Sequence, residues 1–366
     1  MNFKLASSIL HTVQIGDPDD ICYVLYFSVN GNIVAASGSN NLIKIYNRKE
    51  KVLVNILKGH TDQIHETLLK DKTDGNAILL SCSSDKTVRI WDMYQASLVQ
   101  TIHQQDEIFS IDLYQNFLVM GCSNKLVLYD LVKKSVIRTF DSSHTEDITR
   151  VRFHPNDPTK IVSVSMDGLI CLYDLNQADD EEAIISVLNG EFPLSSFGFF
   201  GKNSEFIFTL STQERLAIWD LASGTRLKEF GDLRQILTER FQKEINYFVN
   251  VDYHLESNNL FLFAGDYQGN IYIYLINQTT WELSEFSQLL NGHSDIVRNI
   301  YWDKNTLELI SSSEDSKISF WQDSNQPTME FKSSPRINID ENNNNNNNNS
   351  FGKQNPKSKN NKSNPY

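Results

Sequence analysis

The chain has 366 residues, 40% hydrophobic and 22% charged, with a formal net charge of -13. That composition supports a buried core and excludes global disorder. The acidic balance opposes binding to phosphate backbones, and no apolar run approaches the ~18 residues of a membrane helix.

At the N-terminus, MNFKLASSILHTVQ carries one lysine and interrupts its apolar run with Ser and His, which argues against a secretory leader. Within it, LASSILHTVQ reads as a strand with no hairpin partner nearby. Self-similarity then dominates. Seven segments end in a short alternating strand closing on an aromatic residue: Tyr46, Trp91, Tyr129, Tyr173, Trp219, Tyr274 and Trp321. The intervals are 45, 38, 44, 46, 55 and 47 residues. A second apolar strand precedes each one, as in ILLSCS before DKTVRIWD, with a polar turn such as Ser84-Asp85-Lys86 between. Period-2 alternation, β-branched residues and turn chemistry predict antiparallel hairpins. Amphipathic runs such as QIHETLL and SLVQTI flank each hairpin and predict two further strands. Four strands per ~40–45-residue unit is the blade of a β-propeller.

The 55-residue interval holds an excess, GDLRQILTERFQKE (231–244). Leu233, Ile236, Leu237 and Phe241 fall on one helical face, and Asp232 and Gln235 are placed like a capping box. A short helix is predicted, either plugging the propeller rim or docking a partner. After Trp321, QDSNQPTMEF lacks a good outer strand. The unassigned N-terminal strand is therefore expected to complete the seventh blade and hide both edges. From Lys332 onward the chain is Asn-, Lys- and Ser-rich, including eight consecutive Asn at 342–349, and reads as a disordered tail. The expected organisation is all-β: a seven-bladed propeller over 5–331 and a tail over 332–366. The tail carries +4, so the rest of the chain carries -17.

Three repeats share a longer constellation: His60, Ser81, Asp85, Trp91; His144, Ser163, Asp167, Tyr173; and His293, Ser311, Asp315, Trp321. In each, Ser precedes Asp by four residues and Asp precedes the aromatic by six. With the Trp-Asp closings at Trp91-Asp92 and Trp219-Asp220, this resembles the WD40 repeat family over residues ~5–325. The resemblance implies that each tetrad is a buried hydrogen-bond network that rigidifies its blade. In one of them Tyr173 replaces the indole N–H by a phenol. It further implies a non-enzymatic scaffold that binds proteins or peptides. The expected context is a monomeric propeller inside a larger intracellular complex, in cytoplasm or nucleus.

Chemistry is sought and not found. Beyond the tetrads, His154 sits in RFHPND, where members of that family turn from the first strand, and His11, His65, His103 and His254 are scattered, with no H-E-x-x-H and no Cys/His cluster. Cys22, Cys82, Cys122 and Cys171 lie far apart, each in an apolar run, and read as buried thiols of a reducing compartment. There is no nucleophile elbow, P-loop or dinucleotide fingerprint. No metal, cofactor or catalytic residue is expected. Paired acids such as Asp179 to Glu182 read as solvated linkers. An adaptor in a nuclear, ribosome-precursor or ubiquitin-ligase assembly is the alternative. Ligase receptors of the family carry Arg two residues after Trp-Asp, where this chain has Tyr94, Val132, Asn176 and Ala222.

Binding is expected at the upper mouth of the central channel. Aligning Ile21, Ile64, Ile108, Ile148, Leu194, Phe248 and Val297 as first anchors of the innermost strands puts Cys22, His65, Phe109, Thr149, Ser195, Val249 and Arg298 there. Phe109 and Arg298 are the expected anchors, because aromatic and Arg side chains dominate hot spots. Together with Val249 they suit a peptide with one acidic and one apolar group. The alternative is channel lining that merely solvates the pore.

Overall fold

A computed structural model describes residues 1–11, 22–71 and 77–324. These form seven four-stranded antiparallel sheets arranged as the blades of a propeller. The expected tail lies outside the described residues. In blades 1 to 6 the four strands follow chain order from the innermost outward. The two middle strands, such as Ala77–Ser83 and Thr87–Asp92, are nearly continuously buried. They are covered on both faces by neighbouring blades, which is why they read as unbroken apolar runs rather than as alternation. The outermost strands are largely exposed or half-buried, and Ile184–Asn189 alternates between the two.

Blade 7 is closed from the other end of the chain. Its innermost strand is Val297–Asp303, and its outermost is the N-terminal Phe3–Leu10, which pairs with Lys317–Asp323. Phe3 is buried edge-on to Trp302, with ring centroids 6.2 Å apart. A second clasp joins blades 7 and 1. Arg48 Nε donates to Glu308 at 2.6 Å and its Nη2 reaches Asp303 at 2.7 Å. Lys51 adds a contact to Glu308 at 3.1 Å.

Each innermost strand begins with an N–H that the preceding blade must satisfy. In blades 4 and 5 backbone carbonyls do so: Ile148 N–H meets Cys122 O at 3.0 Å and Leu194 N–H meets Ser165 O at 3.1 Å. Elsewhere side chains substitute. Phe248 N–H donates to Glu214 at 2.6 Å, Val297 N–H to Tyr247 Oη at 2.7 Å, and Cys22 N–H to Ser316 Oγ at 2.9 Å.

Two bulges recur. One lies near the start of the innermost strand, where the register shifts across Leu25, His65, Phe109, Ser195, Val249 and Arg298. The other lies in the outermost strand opposite the closing aromatic and carries Val54, Val99, Ile137, Ile185 and Leu227 in blades 1 to 5. All five of these apolar side chains are exposed.

The 231–244 insertion is helical over Leu233–Phe241. Leu233 and Leu237 are buried, and Phe241 packs 5.1 Å from the Tyr274 ring. Ile236 is a correction: it is 45% exposed, because the apolar stripe is narrower than four residues. The capping box is half made. Asp232 accepts from Gln235 N–H at 3.4 Å, but the Gln235 side chain reaches forward to Glu239 at 2.7 Å instead of back.

Removing residues 1–10 strips the pairing partner from Lys317–Asp323 and uncovers Trp302. The expected result is a loss of soluble yield and a fall in Tm of at least about 5 °C. A synthetic peptide of residues 1–11, added in excess, is expected to recover part of that loss. Calorimetry checks both, and an unchanged Tm contradicts the closure account.

Candidate functional site

The tetrads form continuous hydrogen-bonded chains. In blade 2 Trp91 Nε1–H donates to Ser81 Oγ at 2.9 Å, and Ser81 Oγ lies 2.7 Å from His60 Nε2. His60 Nδ1 lies 2.8 Å from Asp85, which also accepts from Thr61 N–H and Thr87 N–H. The directions are then fixed: Nδ1 carries the imidazole proton and Nε2 accepts from the serine. Burial alone pushes the Asp85 carboxyl up. Hydrogen bonds from Thr87 and His60 more than reverse this and hold it below the usual range. The Asp315 carboxyl goes down to about 2 by the same balance. Blade 7 repeats the distances, with Trp321 Nε1 to Ser311 at 2.8 Å and His293 Nε2 to Ser311 at 2.7 Å. In blade 4 the phenol serves equally: Tyr173 Oη lies 3.1 Å from Ser163 Oγ, whose proton points to His144 at 2.7 Å.

The other blades solve the same packing problem differently. Blade 5 keeps only Trp219 Nε1–H to Thr209 Oγ1, at 3.0 Å. Blade 6 has Ala264 at the serine position, and Phe241 of the inserted helix packs on Tyr274. In blade 1 His11 is not scattered. It is fully buried, and its Nδ1 lies 2.8 Å from Tyr46 Oη. Here the serine position is Ala36 and the aspartate position is Asn40. His11 Nε2 and Asn40 Nδ2 consequently have no hydrogen-bond partner among the described residues. Burial, with help from Lys44, lowers the His11 pKa to about 3, so the ring is neutral.

A charged network missed by the sequence analysis faces the channel. Glu66 is buried on the innermost strand Ile64–Asp71. One of its oxygens meets Arg150 Nη1 at 2.7 Å, Tyr26 Oη at 3.1 Å, and Arg152. The other accepts from Ser110 Oγ at 2.7 Å and Ile111 N–H at 2.9 Å. Burial raises the Glu66 pKa, but Arg152 and Arg150 outweigh it and leave the pKa at about 2. The network ties together the innermost strands of blades 1 to 4. Its members are distant in sequence and share no motif, so only the alternation of QIHETLL marked Glu66 at all.

The ring residues named from sequence are bulge residues in five blades: His65, Phe109, Ser195, Val249 and Arg298. A bulge re-aims one side chain out of the ladder. Thr149 directly precedes its strand and donates to Leu194 O at 2.8 Å. Cys22 is a correction. It is fully buried, and the blade 1 bulge is Leu25, because Val24 rather than Ile21 takes the anchor pairing with Gly38. Ile21 lies outside the described residues.

The ring is not one surface. His65 and Phe109 pack with tilted rings, centroids 4.8 Å apart, on the blade 2 and 3 side. His65 Nε2 meets Ser84 Oγ at 2.7 Å, and Ser84 donates to Glu107 at 2.8 Å. On the far side Ser195, Val249 and Arg298 line a cavity of about 280 Å³ with Tyr26, Arg150, Thr212, Glu214 and Asn250. Arg298 Nε donates to Glu314 at 2.6 Å. A larger cleft of about 600 Å³ between blades 4 and 5, floored by Leu172, Ile185 and Leu221, contains none of the ring residues.

Among the described residues, no three His, Cys, Asp or Glu side chains are grouped to hold a metal ion. No helix among them is long and apolar enough to cross a membrane. The four cysteines are buried free thiols.

Comparison with known proteins agrees with this architecture. The WD40 family (WD domain, G-beta repeat) matches residues 51–92, 134–174 and 284–322. These are parts of blades 1 to 2, 3 to 4 and 6 to 7, and they end at Trp91-Asp92, Tyr173-Asp174 and just past Trp321. A Dictyostelium discoideum protein named WD repeat-containing protein 89 homolog is 52% identical over 331 residues, covering 90% of each chain. The Arabidopsis thaliana WD repeat-containing protein GTS1 is 28% identical, covering 79% of this chain and 76% of its own. The guanine nucleotide-binding protein subunit beta of Saccharomyces cerevisiae is 29% identical over 44% of this chain and 40% of its own.

Two substitutions test the tetrad account. Asp85→Ala orphans His60 and two backbone N–H groups, at about 1–3 kcal/mol for each orphaned group. Asp180→Ala removes only a surface pair with Arg138 and is expected to cost under about 1 kcal/mol. Denaturant midpoints are expected in that order.

Proposed function

Because the chain belongs to the WD40-repeat family, we propose that it is a non-enzymatic scaffold holding a protein or peptide partner at the upper mouth of its channel, within an intracellular assembly. The observation that carries this reading is the bulge near the start of six of the seven innermost strands. It turns Phe109 on one side, and Ser195, Val249 and Arg298 on the other, away from the sheet ladder. Displaying varied side chains on an unvarying frame is how rigid scaffolds present binding residues. The titratable groups of the channel support it too. Both oxygens of Glu66 are taken up by Arg150, Arg152, Ser110 and Ile111 N–H, so this carboxylate is engaged in holding the strands together. The assembly context draws on one relative, the guanine nucleotide-binding protein subunit beta of Saccharomyces cerevisiae. Four buried free thiols suit a reducing compartment.

A second reading is an adaptor in a nuclear, ribosome-precursor or ubiquitin-ligase assembly. It draws on Tyr94 and Val132, 87% and 70% exposed, which offer apolar surface in the turns after two adjacent third strands.

Affinity capture from a lysate, compared between the parent chain and Arg298→Ala or Phe109→Ala, separates the readings. The channel reading expects specific partners to be lost with the Tm unchanged. Retention of every partner by both variants, with loss on Tyr94→Ser, moves the site to the turn surface.

A further inference from the structure

The cavity beside Ser195, Val249 and Arg298 carries a chemical preference. Its lining is rich in hydrogen-bond donors that nothing in the protein uses. Arg150 commits only Nη1, to Tyr26 and Glu66. Its Nε and Nη2 are unengaged among the described residues. Arg298 commits Nε and Nη2 to Glu314, leaving Nη1. The Asn250 amide and the Thr212 and Ser196 hydroxyls also line the space without a side-chain hydrogen bond among the described residues. On the acceptor side Glu214 is the one carboxylate in the lining, and one of its oxygens is occupied by Phe248 N–H at 2.6 Å. Val249, Leu210 and Phe248 supply the apolar wall.

Two guanidiniums with spare N–H groups in one small concavity match a carboxylate, which accepts through two oxygens in the plane of the guanidinium fork. The volume decides the form of the ligand. About 280 Å³ falls just under the ~300–1,000 Å³ typical of pockets that swallow a whole small molecule. It suits one side chain of a larger partner.

Resting on the scaffold reading, we propose that this cavity, between blades 4 and 7, is a subsite for an acidic side chain of an extended partner peptide, with Arg298 and Arg150 as the receiving groups and Val249 contacting an adjacent apolar residue. Glu314 is then an internal competitor. It occupies Arg298 when the site is empty and is displaced by the ligand carboxylate. His65 and Phe109 lie outside this subsite and are not needed for the carboxylate contact.

The test uses the full chain and a fluorescein-labelled, end-capped peptide, Gly-Val-Glu-Val-Gly-Ser, read by fluorescence anisotropy. Its Gln isostere and free glutarate serve as comparisons. The Glu peptide is expected to bind at least about tenfold more tightly than the Gln peptide, and more weakly as salt rises. Arg298→Ala is expected to cost about tenfold. Glu314→Gln is expected to tighten binding, an effect that damage to the fold cannot produce. Equal binding of the Glu and Gln peptides, binding of neither, or weaker binding by Glu314→Gln overturns the proposal. Glutarate competing as well as the peptide also overturns it, in favour of a free dicarboxylate. If the Glu and Gln peptides behave alike while Arg298→Ala still loses captured partners, the carboxylate subsite falls and the scaffold reading stands.

Discussion

The pairing of Phe3–Leu10 with Lys317–Asp323 is the interaction on which the rest of this protein depends. Six blades are each built from a contiguous stretch of chain and pack their faces against the neighbouring blades. Such an array is open until its ends meet, and an open array exposes the face of its first blade and the face of its last. The terminal strand joins residues more than 300 positions apart, and the Arg48 cluster with Glu308 and Asp303 holds the same seam. Entropy opposes so distant a contact, but the cost grows only slowly with loop length, so one well-packed strand suffices. With the circle closed, the innermost strands of blades 1, 4, 5, 6 and 7 each have a neighbour to take an N–H at their start, whether a carbonyl, a carboxylate, a phenol or a serine.

Each blade must also fill the space beneath its closing aromatic. Three blades use the complete His, Ser and Asp chain, and the others show how far it can be degraded. Blade 5 retains a single indole bond. Blade 6 discards the polar network and packs Phe241 against Tyr274, whose hydroxyl is left without a partner among the described residues. That is the structural reason for the helix. It occupies the region that the His-bearing loop serves elsewhere, so its apolar stripe is spent on packing and only its outer side, with Ile236, meets solvent.

What was legible in the sequence was whatever sits at fixed local spacing. The hairpins, the closing aromatics and the three tetrads repeat at offsets of four and six residues, and the structure places them accordingly. The bulge positions were also legible, because the first buried anchor of each innermost strand is a large aliphatic or aromatic residue. Blade 1 defeated both rules. The stretch between His11 and Val24 is far longer than the His60-to-Ile64 spacing, so His11 lost its register and Cys22 was taken for Leu25. The Glu66 network was illegible for a different reason. Arg150 and Arg152 lie 84 and 86 positions away, and a pairing that the ring alone creates has no local signature.

The bulged outermost strands have a consequence for how the protein behaves at cellular concentration. Val54, Val99, Ile137, Ile185 and Leu227 stand at the places where a straight strand would offer its free edge to another molecule. A bulge breaks the ladder spacing and increases local twist, so a second strand cannot stay in register along the rim. Two of these strands, Val52–Leu57 and Ile184–Asn189, contain no charged residue at all. Their resistance to self-association is therefore set by backbone shape and not by repulsion. It should persist in high salt, where an edge guarded by lysines would lose its protection.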